Sequence, residues 1–199
     1  GLSAPELLLY PLEDYDVCVD RHTYTEDDTR DAGNAGMLPD TWDLHIVGDG
    51  PERESIERLI TSAGSQAASH IHLLGYKSGE DLQREVGNAR FTVLSSEWRE
   101  NMPYSGLESL AAQTPIIGAN IGGIPELGEE GRTGFTFESG NIADLKDGLL
   151  KAAAVGEDVY GTMQRQCSEY VTTRCAQQTY AERLVERYTR LLGLNRNGN

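Results

Sequence analysis

The chain has 199 residues, with 17 Lys and Arg against 32 Asp and Glu, for a formal net charge of −15. That length holds one α/β domain with a sizeable core, and the negative field repels phosphate backbones, so nucleic acid is not an expected partner. A hydrophobic fraction of 38% and a mean hydropathy of −0.47 suit a soluble globular chain. No apolar run approaches the ~20 residues of a transmembrane segment, and the first residues lack the basic and apolar regions of a signal peptide.

Taken in chain order, residues 1–41 form a divergent or incomplete opening segment. Leu7–Tyr10 and Tyr15–Val19 read as strands, followed by the acidic run Glu26-Asp27-Asp28 and a Gly- and Asn-bearing loop from Asp31 to Asp40. From residue 42 strands and helices alternate. Trp42–Val47 reads as a buried strand, and Pro51–Ala63 as a helix with Ile56, Leu59 and Ile60 on one side. Ile71–Leu74 is a second strand. Ser78 and Asp81 have the spacing of a capping box for a helix reaching about Asn88. Phe91–Leu94 is a third strand, a helix opens at Pro103, Pro115–Gly118 is a fourth strand, and Phe135–Phe137 a short fifth. Asn141 caps a helix carrying Leu145, Leu149 and Leu150. The α/β core thus spans 42–156, and 157–199 reads as C-terminal helices, with Tyr180, Leu184, Tyr188 and Leu191 or Leu192 along one face. Such alternation predicts a doubly wound parallel sheet, with ligands at the carboxyl ends of its strands.

Cys18, Cys167 and Cys175 are an odd count without CxxC spacing, so neither a disulfide framework nor a zinc site is expected. With no N-x-[ST] sequon either, a reducing, cytoplasmic setting is the simplest expectation. His22, His45, His70 and His72 lack metal-site spacing and read as structural, so no metal is expected. Asp14-Tyr15-Asp16 reads as solvated charge. Gly48-Asp49-Gly50 begins like a dinucleotide fingerprint, but Arg53 stands where that motif has Gly or Ala, so no NAD site is expected.

One stretch carries chemistry. Glu100 and Glu108 bracket Asn101-Met102-Pro103-Tyr104-Ser105-Gly106-Leu107. Pro103 suits the first turn of a helix, whose N-terminus offers unpaired N–H groups and a positive dipole end to phosphate. A carboxylate on either side can accept hydrogen bonds from vicinal hydroxyls. A hydroxyl-binding acid, an anion site and a second acid in a row suit a nucleotide diphosphate sugar.

From Asp43 to Leu150 the chain resembles the C-terminal, nucleotide-sugar-binding half of family 4-type retaining glycosyltransferases of the GT-B fold, whose halves are Rossmann-like. The resemblance runs through Leu44–Pro51, Ile71–Tyr76, Ser95–Tyr104, Leu107–Ala111, Thr114–Gly118, Gly122–Glu126 and Gly131–Phe135. It implies that Glu100, the catalytic candidate, contacts donor-sugar hydroxyls and that Glu108 holds the ribose hydroxyls. It implies that backbone amides among Asn101, Met102, Tyr104 and Ser105 hold sugar and phosphates; Pro103 stands where Gly is more usual and has no N–H to give. Gly48 reads as the turn at the cleft rim, and the resemblance implies that Tyr76 borders the base. Arg21, closing a strand from Val17, is the phosphate candidate, although the lysine that follows in the family is missing here. The resemblance implies that the Gly122–Glu126 loop lies near the donor, and Glu126 reads as a first-turn helix charge or a third polar contact.

The implied reaction is sugar transfer from a nucleotide sugar to an acceptor hydroxyl with retention, with no cofactor beyond the donor substrate. The acceptor site belongs to an N-terminal domain that 199 residues do not accommodate, so the expectation is a fragment that binds without turnover. In such two-domain enzymes the closing helix crosses toward that other domain; packing on its own domain is the alternative. A non-catalytic nucleotide-sugar or interaction module of the same fold is the rival reading. An epimerase or phosphorylase half fits the Ser95–Pro103 loop less well.

Overall fold

The computed structural model describes the backbone of residues 16–21 and the whole of 42–193, apart from the side chains of Gln66 and Ala67. The strand expected at Leu7–Tyr10 and the acidic run Glu26–Asp28 lie outside the described residues. The elements are β1 Asp16–Arg21, β2 Trp42–Val47, α1 Arg53–Ser62, α2 Ser65–Ala68, β3 Ile71–Gly75, α3 Gly79–Asn88, β4 Phe91–Leu94, α4 Tyr104–Ala111, β5 Ile116–Ala119, α5 Ile124–Leu127, β6 Gly134–Phe137, α6 Ile142–Ala153, α7 Glu157–Tyr170 and, after a π-helical segment Val171–Cys175, α8 Gln177–Leu191.

The six strands form one sheet in the order β3-β2-β1-β4-β5-β6. β2 and β3 are parallel, as are β4, β5 and β6. Between these halves β1 runs antiparallel to both neighbours, pairing Asp16 with Val47 and Arg21 with Trp42 on one side, and Val17 with Val93 on the other. The fold is therefore the expected α/β, Rossmann-like arrangement, with five strands in one direction and one reversed strand at the topological switch.

Side-chain alternation sends helices to both faces. Phe91, Val93, Ile117 and Ala119 join Ile56 of α1, Leu145 and Leu149 of α6, and Tyr160 and Met163 of α7 in the larger cluster. On the other face Ile116 meets Leu110 of α4, Leu127 of α5, and Cys167 and Tyr170, while Val86 of α3 forms a third cluster with Ala89. Each fully buried Leu, Ile or Phe contributes about 1.5–3 kcal/mol of transfer free energy. Several polar positions between them are matched. Thr92 and Ser109 hydroxyls meet at 2.6 Å, Ser109 donates to the Thr114 carbonyl at 2.7 Å, and Tyr160 donates to the Arg90 carbonyl at 2.8 Å.

One local expectation is corrected. Ser78 is the N-cap of α3, but its side chain makes no capping bond; Asp81 instead pairs with Arg84 at 3.2 Å. The tail is helical as expected, broken at the π-helical segment. Val171, Thr172 and Thr173 are three β-branched residues in a row, and the two Thr hydroxyls bond the Ser168 and Glu169 carbonyls. These competing bonds accompany the widened turn, and extended Ala176 (ψ 134°) re-aims the chain into α8. No residue of α8 is buried.

Candidate functional site

At the carboxyl edge the switch separates the loop after β2 from the loop after β4, the place where open α/β sheets bind ligands. Gly48 opens the first loop with φ +150°, a value for which a side chain is ill suited. Its N–H donates to the Gly75 carbonyl at 3.0 Å, joining the ends of β2 and β3. Tyr76, the next residue, is 75% exposed at this rim.

The second loop, 95–103, is held from two sides. Ser139 donates to the Ser96 carbonyl at 3.2 Å, and the Ser96 hydroxyl donates to Glu100 Oε1 at 3.1 Å. From the other side comes the loop after β5. The Gly123 N–H donates to the Glu100 carbonyl at 2.8 Å. A Cβ at Gly122 or Gly123 would run into the backbone carbonyls of Glu100 and Asn101 respectively. The glycine pair thus allows close approach of two backbones as well as turning the chain, and Glu126 sits in the first turn of α5 as expected.

Pro103 is the N-cap of α4, with ψ 130°, and not its first helical residue. Its carbonyl receives the Leu107 N–H at 3.3 Å. The N–H groups of Tyr104, Ser105 and Gly106 are the unpaired donors of this helix start, and a proline at the cap withholds nothing from them. Glu108 is exposed one turn along. With Ser105 it lines a small cleft together with Thr92, Val93 and Leu94 of β4 and Leu82 and Val86 of α3. Glu100, Asn101, Met102 and Tyr104 are likewise exposed, and Ser105 is half-buried. Glu100, Asn101, Met102, Tyr104, Ser105 and Glu108 are therefore brought to one loop and helix start, with Gly48 and Tyr76 on the neighbouring loops of the same edge.

Arg21 is not brought there. Its partner is Trp42, the first residue of β2, so its Cα stands about 17 Å from the carboxyl edge, five steps of about 3.4 Å. Reversal of β1 is the cause. Sequence reasoning passed over Arg99, exposed beside Glu100 and in no ion pair among the described residues, whereas Arg53 is paired with Asp49 and Glu57. Its position next to Glu100 was the available signal.

Three comparisons show what the chain is similar to. The family described as glycosyl transferases group 1 matches residues 35–191. Among curated relatives, the sulfoquinovosyl transferase of Arabidopsis thaliana is 33% identical over 104 residues, 51% of this chain and 19% of that protein. The N-acetyl-alpha-D-glucosaminyl L-malate synthase of Bacillus anthracis is 28% identical over 145 residues, 73% of this chain and 35% of that protein. The chain thus spans about a fifth to a third of these relatives. Among solved structures, Anabaena HepE in complex with UDP superposes with a TM-score of 0.62 at 19% identity, covering 73% of this chain and 40% of that one. Staphylococcus aureus TarM, in a complex that includes UDP, gives 0.61 at 19% identity, covering 71% and 28%. At that identity the likeness is one of fold.

Proposed function

The chain belongs to the group 1 glycosyl transferases, and from that premise we propose that it is the donor-binding domain of a retaining, family 4-type member, carrying a sugar from a nucleoside diphosphate to an acceptor hydroxyl. The observation that supports this most is the arrangement at α4. Two exposed carboxylates, Glu100 and Glu108, flank a helix start with three unpaired N–H groups, and the Glu100 side is fixed by Gly123 and Ser96.

In this reading Glu108 accepts the ribose hydroxyls while the diphosphate lies against the amides of α4. Glu100 accepts from the sugar. As the glycosidic bond breaks, charge grows on the leaving diphosphate, and preorganised N–H donors stabilise it there without reorganisation. Arg99, exposed beside Glu100, takes the place of Arg21 as the basic candidate for that charge. Tyr76 borders the base. No divalent metal is required at this cleft.

The acceptor, in the same reading, is held by a further domain. The apolar residues of α8, with Tyr180 64% and Leu191 75% exposed, are available to cover it. Alone, the chain binds donor and does not transfer. A non-catalytic nucleotide-sugar module is the second reading, favoured by the absence of a basic β1 residue at the carboxyl edge. Calorimetric titration with UDP-, GDP- and ADP-sugars tests the proposal, uridine first because two structural neighbours carry UDP. Failure of every nucleotide to bind would remove it.

A further inference from the structure

The histidines that lack metal-site spacing along the chain converge in space. Asp43 and His45 lie two residues apart on β2 and so point to one face, and the parallel register sets His72 of β3 beside His45. One donor atom from each of Asp43, His45 and His72 lies within 4.8 Å of the others. Asp43 Oδ2 and His72 Nε2 are 3.5 Å apart. Two donors on a tetrahedral zinc, each bonded at about 2.0–2.1 Å, stand about 3.4 Å apart, so this edge is already at the required length.

The surroundings orient these groups. The His70 Nδ1–H donates to Asp43 Oδ1 at 2.9 Å, which aims the other carboxylate oxygen at His72. Glu85 Oε2 lies 3.4 Å from His45 Nδ1, the carboxylate-to-imidazole contact that fixes a ligating ring and its tautomer. Glu85 itself is matched by Lys77 at 2.5 Å, so it serves the ring and not the ion. The three side chains are half-buried or nearly buried, with side-chain exposures of 9% for Asp43, 23% for His45 and 40% for His72. An ion can therefore enter from solvent. The net charge of −15 draws cations to it.

We propose that Asp43, His45 and His72 form a binding site for one divalent ion of the zinc class, on the β2–β3 side of the sheet and apart from the α4 cleft. Two imidazoles and one carboxylate are borderline ligands that suit zinc over magnesium or calcium. Three protein ligands leave a fourth position for water. Because the ligands come from adjacent strands, the ion clips the edge strand β3 to β2, and occupancy stabilises the fold by mass action.

The test is calorimetric titration of the chelator-washed chain with zinc chloride at neutral pH, repeated with cobalt(II) read by visible absorption. The expected result is one saturable site per chain and a higher melting temperature with zinc than without. Cobalt should give a tetrahedral spectrum with no thiolate charge-transfer band. Asp43→Asn, His45→Ala and His72→Ala should each abolish saturation, and His70→Ala should weaken it by about 10–100-fold through loss of orientation. Cys175→Ser should leave it unchanged. Magnesium binding in place of zinc, survival of the site in both histidine variants, or its loss in Cys175→Ser would overturn the proposal. The cobalt spectrum of the unaltered chain decides the matter if a variant fails to fold.

Discussion

The Gly123 N–H and the Glu100 carbonyl, 2.8 Å apart, join the loop after β5 to the loop that carries the first site carboxylate. This contact makes the position of Glu100 depend on a residue 23 places further along the chain.

Gly123→Ala should therefore damage binding more than folding. The added Cβ meets the Asn101 carbonyl, a backbone atom with no rotamer to yield. Overpacking of this kind costs about 1–3 kcal/mol, and because the loop moves to relieve it the low end, about 1 kcal/mol, is expected. The expected outcome is a nucleotide-sugar affinity at least about tenfold weaker with a melting temperature within a few degrees of the parent, near 2–4 °C per kcal/mol lost. Calorimetry paired with thermal unfolding separates the two effects.

Removal of α8 should leave the core nearly as stable as before. None of its residues is buried, and Tyr180, Val185, Tyr188 and Leu191 all stand more than half exposed. A chain ending at Ala176 should melt within about 4 °C of the full chain, a difference of about 1 kcal/mol or less. A much larger drop, read by circular dichroism, would mean that α8 packs on its own domain after all.

Alkaline pH should destabilise the fold through Cys167. Burial pushes its thiol up from 9.0 to about 12. The folded pKa is above the unfolded one, so the native state holds a proton that the unfolded chain has released. Stability is intact below about pH 9 and falls as pH rises toward 12, by up to about 1.4 kcal/mol per pH unit. Urea unfolding across this range should show the slope in the parent and a shallower one in Cys167→Ala.

Most elements from Trp42 onward were legible because apolar period and punctuation agreed. Ile46 and Ile56 fall at core positions, and Asn141 accepts the Asp144 N–H at 3.1 Å as its spacing predicts. The direction of β1 was not legible. Val17-Cys18-Val19 alternates identically read either way, so nothing local distinguishes the two directions, and Arg21 was assigned to the wrong edge. The π-helical break was hidden because hydrophobic periodicity runs through it, the decisive signal being the β-branched run Val171–Thr173. In the site, Glu100, Glu108 and the α4 start were legible from one stretch. The Gly123–Glu100 contact and the Asp43–His45–His72 cluster were not, since each joins residues that only the strand order brings together.

The most direct test is calorimetric titration of UDP, GDP and ADP, and of their sugars, into the parent chain, Glu108→Gln and Glu100→Gln, with chelator present. The account predicts that at least one nucleotide binds without divalent metal. Glu108→Gln should weaken free nucleotide and nucleotide sugar alike, by roughly 1.5–3 kcal/mol for lost charge-assisted hydrogen bonds. Glu100→Gln should weaken only the sugar-bearing ligand. Equal effects of both substitutions on free nucleotide, or none from either, would contradict the assignment of the α4 cleft as a donor site.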